Sequence, residues 1–358
     1  MVKPTRYIQQ LQAYKITPQD VWVEGASTDL LKLDWNEAPF GFDWYVSALS
    51  KIVKDGRIVA WYPDYLAIEL TQRLAEFCRT TVNNILVFPG SDVALETICR
   101  CYLEAGDVVV TVSPTYDNFA VFVKQIGASQ KEITVQPPDQ VSDDRVAKAI
   151  EKNNAKCVYL VSPNNPFGYV IESELVERLL IGFPETLFVI DEAYIEFSSS
   201  DSLVKLCRKF KNIIVVRTFS KAFGLAGVRL GYICADISLL NDINKIRNGK
   251  NISMIAQKLG CLALEEIDLL DRWVTEVRAA RSNFMRWCAE NSLMYFESEG
   301  NFVMFKVPEP ARVCSELKAR GIYVRDRDKI VPGFIRVTIG SIQNTEVLIN
   351  ALNVILRR

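Results

Sequence analysis

Short apolar runs rich in β-branched residues recur along the first two-thirds of the chain, at Ile85–Phe88, Val108–Val112, Cys157–Val161, Leu187–Ile190 and Ile213–Val216. Runs without polar alternation predict strands covered on both faces, as in a parallel sheet lying between helical layers. The segments between them, Asp92–Leu103, Tyr116–Gln125, Asp143–Lys152 and Glu172–Leu180, space apolar residues three to four apart and predict crossover helices. Beyond residue 245 the texture changes. Longer helices are predicted at Ile252–Glu265 and Leu269–Glu290, then a strand at Phe302–Val307, a helix at Ala311–Arg320, a strand at Ile335–Ile339 and a closing helix at Asn344–Leu356. The predicted class is α/β: a mostly parallel sheet sandwiched by helices over residues 41–245, and a smaller α+β C-terminal domain over residues 246–358. The opening residues sustain neither period, and residues 1–40 are expected to form an N-terminal arm packed on the small domain or on a partner.

Composition narrows the chemistry. The 358 residues, 49% apolar and 24% charged, suffice for a large core and exclude disordered and fibrous classes. Lysine and arginine number 42 against 43 acidic residues, so no net positive field recruits nucleic acid or anionic lipid. Histidine is absent, which removes Ser-His-Asp and Cys-His catalysis, imidazole bases and histidine-ligated zinc together, and no metal is expected. The nine cysteines include no C-x-x-C pair and read as reduced, mostly buried thiols. With no signal-like opening and no apolar stretch of about 18 residues, a cytoplasmic protein is expected.

Open α/β sheets place ligands at the carboxyl ends of their strands, so each predicted strand exit is a candidate site. Ile85–Phe88 runs into Pro89-Gly90-Ser91-Asp92, a glycine turn into a helix start whose free N–H groups and serine hydroxyl suit a phosphate, although Ser or Asp there also serves as an ordinary cap. Val108–Val112 exits into Ser113-Pro114-Thr115-Tyr116, whose ring can stack on a planar ligand or join the core. Cys157–Val161 exits into Ser162-Pro163-Asn164-Asn165-Pro166-Phe167-Gly168, a turn that also delivers a carboxamide. Leu187–Ile190 ends in Asp191-Glu192-Ala193-Tyr194, and a carboxylate directly after a wholly apolar strand is costly unless a cation meets it. Ile213–Val216 opens into a glycine-bearing loop carrying Thr218, Ser220, Lys221 and Arg229.

One chemistry uses all of these exits. A lysine on a constrained loop can condense with the aldehyde of pyridoxal phosphate, which also needs a cation and hydroxyls for its phosphate, a carboxylate for its ring nitrogen and donors for its phenolic oxygen. Lys221 supplies the amine, Asp191 the carboxylate, Asn165 and Tyr194 the donors, Tyr116 a stacking surface, and Ser91, Thr218, Ser220 and Arg229 the phosphate partners. Lys221 is also the natural proton shuttle in a chain without histidine.

Further segments carry a resemblance: Leu33-Asp34-Trp35-Asn36-Glu37-Ala38-Pro39-Phe40-Gly41, Tyr62-Pro63-Asp64, Gly90-Ser91-Asp92, Asn164-Asn165-Pro166, Asp191-Glu192-Ala193-Tyr194, Ser220-Lys221 through Arg229, Asn301-Phe302 and Arg336-Val337-Thr338-Ile339-Gly340. In their joint order and spacing the chain resembles fold-type I pyridoxal-phosphate aminotransferases, specifically the histidinol-phosphate aminotransferase branch. The resemblance implies that Lys221 carries the cofactor, Asp191 meets its ring nitrogen, Asn165 and Tyr194 its phenolic oxygen, and Arg229, with the Ser91-Asp92 helix start, its phosphate. It implies a homodimer in which Tyr62 reaches the neighbouring subunit's cofactor phosphate, and substrate contacts from Tyr14, Asn36, Arg325 and Arg336. It also implies exchange of an amino group between a small amino donor such as histidinol phosphate and a 2-oxo acid acceptor of the 2-oxoglutarate type.

Three positions depart from the branch: Ala38 and Phe167 replace an asparagine and a threonine, and Val93 replaces an acid. Phe167 either favours an aromatic substrate or fills a gap. Aromatic amino-acid transamination and phospho-amino-acid decarboxylation are the alternatives within this fold. A Rossmann-type nucleotide binder is disfavoured, since no strand exit carries G-x-G-x-x-G or a Walker-type loop. A non-catalytic sensor of the cofactor would need an added partner-binding module, for which no residues are left over.

Overall fold

The computed structural model describes residues 2–11, 30–39, 41–137 and 139–357. Its strands are β1 (Leu31–Lys32), β2 (Ile85–Phe88), β3 (Val108–Ser113), β4 (Ser129–Thr134), β5 (Cys157–Val161), β6 (Leu187–Asp191), β7 (Ile213–Thr218), β8 (Gly231–Ala235), β9 (Phe302–Lys306), β10 (Ile322–Tyr323), β11 (Arg325–Asp326) and β12 (Phe334–Thr338). Seven of them form the main sheet in the order β2-β8-β7-β6-β5-β3-β4. Neighbours from β7 through β4 run parallel, and β8 lies antiparallel to both β7 and β2.

Residue alternation sends successive side chains to opposite faces, and both faces are dry. Val158, Leu160, Phe188, Ile190, Ile213 and Val215 join one apolar cluster, while Tyr159, Val161, Val189, Ile214 and Val216 join the other. Crossover helices Ser91–Tyr102, Phe119–Gln125, Asp143–Asn153 and Ser173–Gly182 cover the sheet. The first and third follow the spacing read from the sequence, whereas the second starts three residues later than expected because Ser113–Tyr116 stays open as a strand exit.

Two strands carry no apolar signature in the form the sequence reading sought. β4 pairs only with β3 at the sheet edge, so its mostly exposed Ser-Gln-Lys-Glu-Ile-Thr run needs little apolar character. β8 is fully buried, but it begins directly after the glycine loop and is only five residues long. Its Gly231 is required: a Cβ there would lie 2.8 Å from Gly90 C and from Ser91 N, closing the space where the β2 exit turns into its helix.

The C-terminal region combines helices Met254–Glu265, Ile267–Glu290, Pro310–Lys318 and Ile342–Leu356 with the antiparallel sheet β11-β12-β9. β1 pairs in parallel with β10, and Thr338 N–H donates to Leu33 O at 2.8 Å. These bonds tie the segment from Leu31 to Asn36 against the C-terminal strands.

Phe167 is fully buried against Phe296, at a perpendicular ring contact of 4.9 Å, in a cluster with Met304, Val331 and Phe334. It therefore fills a gap, the second of the two readings of this position, and does not line the cavity at the strand exits. Phe167→Ala is expected to lower unfolding free energy by about 3 kcal/mol, measured by denaturant titration. A loss below about 1 kcal/mol would remove the packing role.

Candidate active site

The carboxyl ends of β5, β6 and β7 open on one cavity of about 1010 Å³. Parallel strands deliver Asn165, Asp191 and Thr218 to the same edge, and register places Val161 and Val216 on either side of Asp191. Asp191 is 4% exposed, yet no cation forms an ion pair with it among the described residues. Its Oδ2 accepts from Tyr159 Oη–H at 2.8 Å and its Oδ1 from Ala193 N–H at 3.1 Å. Burial raises its pKa to about 6, with the two donors pulling the other way. Glu192 points away, accepting from Leu203 N–H at 2.6 Å and Ser202 Oγ–H at 2.6 Å.

Lys221 donates from Nζ to Trp35 O at 2.9 Å and lies 5.7 Å from the centre of the Tyr194 ring. The cavity's other lysine, Lys32, is engaged by Asp34 at 2.8 Å and by Glu37. Lys221 is thus the cavity lysine with no carboxylate partner among the described residues. Tyr194 Oη accepts twice, from Asn165 Nδ2 and Asn36 Nδ2, each at 3.2 Å, which leaves its own proton for an acceptor in the cavity. Asn36 holds φ at +55° and is fixed by Thr338 Oγ1 and Asn301 Nδ2 at 3.0 and 3.2 Å.

Beside this, Gly90 at φ +87° turns β2 into the helix beginning at Ser91, whose first N–H groups lack a side-chain cap. A Cβ on Gly90 would sit 2.6 Å from the Arg229 guanidinium. Arg229 donates to Ser220 Oγ at 3.3 Å, and Thr218 Oγ1 donates to Ser220 Oγ at 3.0 Å. Ser91, Thr218, Ser220 and Arg229 so converge on one lobe of the cavity with the helix N-terminus, a set of donors suited to an anion. Asp92 lies at its rim, accepting from Tyr116 Oη–H at 2.8 Å and 3.7 Å from Arg229.

The cavity is also lined by Arg325, Arg327 and Arg336. Arg336 is buried, donating to Asn165 Oδ1 at 2.8 Å and Asp34 O at 2.7 Å. Burial, and then the neighbouring Arg327 and Arg325 charges, bring its pKa down to about 9.

Two sequence-predicted residues stand apart. Tyr62 is 82% exposed and does not line the cavity of its own chain, and Tyr14 lies outside the described residues. Ala38 lines the cavity, while Val93 packs against the second apolar cluster. Sequence reasoning missed Tyr159, which resembles any core aromatic inside an apolar strand. It also missed Arg327, whose spacing two residues after Arg325 on an alternating strand was the available signal.

The family model for aminotransferase class I and II matches residues 28–352. The chain is 32% identical over 348 residues to a dihydroxyacetone phosphate transaminase of Campylobacter jejuni, covering 95% of this chain and 94% of that protein. It is 33% identical over 329 residues to a histidinol-phosphate aminotransferase of Thermoanaerobacter pseudethanolicus, covering 91% and 93%. The histidinol-phosphate aminotransferase of Sinorhizobium meliloti, solved with pyridoxal 5'-phosphate, superposes with a TM-score of 0.88 at 27% identity, covering 100% of this chain and 98% of that one. With a family match across almost the whole chain, and strand exits, lysine and buried carboxylate in one cavity, the chain belongs to the class I and II aminotransferases.

Proposed function

We propose that this aminotransferase uses pyridoxal phosphate to move an amino group from histidinol phosphate to a 2-oxo acid such as 2-oxoglutarate. The observation that carries the cofactor is Asp191: a buried carboxylate with two neutral donors and no ion-pair partner among the described residues, facing a cavity that also holds Lys221. A protonated ring nitrogen supplies the missing cation. The Gly90 turn, which a Cβ would obstruct, gives the Arg229 lobe room for the cofactor phosphate, so the residues present fit the group.

When bound, pyridoxal phosphate supplies an aldehyde that condenses with amines and a cationic ring that draws electrons from the substrate's α-carbon. Lys221 would hold the cofactor through Nζ, and its free amine would be the group that carries a proton at the substrate's α-carbon. Asp191 keeps the ring nitrogen protonated, Tyr159 keeps Asp191 in place, and Tyr194 and Asn165 donate to the phenolic oxygen. Tyr116 stacks on the ring, while Ser91, Thr218, Ser220 and Arg229, with the helix start at Asp92, hold the phosphate. Tyr14, Asn36, Arg325 and Arg336 form the substrate's side of the reading. Nothing in it requires a metal.

The 33% identity to a histidinol-phosphate aminotransferase, over an alignment covering 91% of the chain, supports the named donor. Similarity to the dihydroxyacetone phosphate transaminase over 95% of the chain favours a second reading, with dihydroxyacetone phosphate as the amino acceptor. Both substrates present a phosphate monoester to the same arginines, and steady-state rates on each separate the readings.

The same proposal includes an arm of residues 1–40, a large domain of 41–245 holding the main sheet and a small domain of 246–358 holding β9 to β12. It also includes a homodimer. Val46, Val59, Trp61, Tyr62, Leu66 and Ile68 leave an exposed apolar stretch that a second copy would cover, bringing Tyr62 to the partner's cofactor phosphate. A cytoplasmic setting accords with nine free cysteines, and among the described residues no helix is long and apolar enough to cross a membrane.

Lys221→Ala is expected to abolish turnover and to prevent borohydride from fixing the cofactor to the chain. Turnover within tenfold of wild type would refute the role. Asp191 gives a pH-dependent test. Its folded pKa of about 6 exceeds the unfolded 3.8, so the native state holds the proton more tightly and stability is lost as pH rises through that window. Asp191→Asn should therefore stabilise cofactor-free protein at pH 8 by about 2 kcal/mol and give no gain at pH 4, read by thermal unfolding. In cofactor-loaded protein the same change should lower turnover by roughly 10²-fold, because stabilisation of charge developing in the transition state is removed. Tyr62→Phe should weaken cofactor retention about tenfold in the dimer, and sedimentation of a fully active monomer would refute the shared site.

A further inference from the structure

β11 and β12 are antiparallel, and Arg325 sits directly opposite Arg336. Directly opposed residues project to one face. Arg327 N–H donates to Phe334 O at 3.1 Å, extending the ladder one step, and alternation returns its side chain to the face of Arg325. Asp326, between them, is exposed, and its Oδ1 accepts from Asp328 N–H at 2.8 Å. All three residues line the cavity that also holds Lys221 and Asp191.

Around Arg325 and Arg336, the hydrogen-bond partners given by the described residues are neutral. Arg336 is anchored by a carboxamide and a backbone carbonyl, neither of which carries charge. Its Nε, and Nη1 of Arg325, are buried without a hydrogen-bond partner among the described residues. The nearby Asp34 and Glu37 carboxylates share Lys32, Asp34 at 2.8 Å, and the described residues give neither an ion pair with the three arginines. Two guanidiniums suffice for a carboxylate, which has one charge and two acceptor oxygens, whereas a phosphate monoester brings nearly two charges and three oxygens.

We propose that Arg327 is a specificity-determining residue that, with Arg325 and Arg336, forms a subsite for a dianionic phosphate monoester and weights the enzyme toward such substrates over the single side-chain carboxylate of glutamate. This rests on the phosphorylated-substrate reading above and adds to it a residue which that reading does not use.

The test is steady-state kinetics of full-length, cofactor-loaded Arg327→Gln and Arg327→Lys with histidinol phosphate, dihydroxyacetone phosphate, histidinol and glutamate. Arg327→Gln should raise KM for the phosphorylated substrate about 10- to 100-fold with kcat within about threefold, as expected for loss of one charge-assisted contact made equally in ground and transition states. The ratio of its kcat/KM to that of glutamate falls accordingly. Inorganic phosphate should weaken as a competitive inhibitor by about tenfold, and Arg327→Lys should recover about half the loss on a logarithmic scale. Equal losses for glutamate and the phosphorylated substrate, a loss confined to kcat, or kinetics identical to wild type would overturn the proposal alone. Wild-type enzyme that turns over histidinol as well as the two phosphorylated substrates would overturn the underlying reading with it.

Discussion

The structure depends on a carboxylate that the fold buries without an opposing charge. Asp191 closes a strand that is apolar on both faces, and its position is fixed by the ladders to β5 and β7. Folding carries it out of water whether or not a ligand is present, because the sheet cannot form with that strand end left outside. Tyr159, one strand away, answers part of the cost with a neutral hydrogen bond. The rest persists as a raised pKa. On the proposed assignment, a cofactor with a protonated ring nitrogen would offset that cost.

A second buried charge of opposite sign lines the same cavity. Arg336 is buried, and its ionisation is depressed by burial and by two neighbouring guanidiniums. Its partners form a chain: Arg336 donates to Asn165, Asn165 donates to Tyr194, and Tyr194 also accepts from Asn36. That chain of hydrogen bonds joins the C-terminal strands, two exits of the main sheet and the segment ahead of the helix Asp43–Ile52. On the proposed assignment, an anionic substrate at Arg336 would act on the groups that orient the cofactor's phenolic oxygen, and the two sites would share their supports.

Legibility in the sequence followed burial. The five strands read as unbroken apolar runs were found because both faces of a parallel sheet are dry, so their composition has no polar alternation to confuse with a helix. β4 was hidden because an edge strand carries no such requirement, and β8 because its five residues merge with the preceding glycine loop. Among site residues, those at strand exits were legible since the fold class itself says where to look. Tyr159 was not, because a tyrosine inside an apolar strand has the same local pattern whether its hydroxyl is structural or answers a buried carboxylate. Phe167 shows the converse: it lies in a site motif, but Phe296 and Phe334 from the C-terminal region enclose it, a contact across well over a hundred residues that no local pattern reveals.

The division of labour between two groups of residues explains why members of one family can share a frame and differ in substrate. Ser91, Asn165, Asp191, Thr218, Ser220 and Lys221 leave strands of a single sheet, so their relative positions are set by strand spacing and register, and a change at any of them disturbs the core beneath. Asp34, Asn36, Arg325, Arg327 and Arg336 come from three separate segments, joined by the two-pair β1–β10 and β11–β12 ladders and the five-pair β12–β9 ladder. Arg325 and Arg327, half-buried on the short β11 and just beyond it, can change at little cost to the main sheet. Relatives named for histidinol phosphate and for dihydroxyacetone phosphate both align over more than nine-tenths of this chain, which accords with chemistry fixed by the sheet and selectivity adjusted at its looser end. A third arginine on β11's continuation is the kind of adjustment such a frame permits: it adds charge at the substrate end while leaving every strand exit of the main sheet in place.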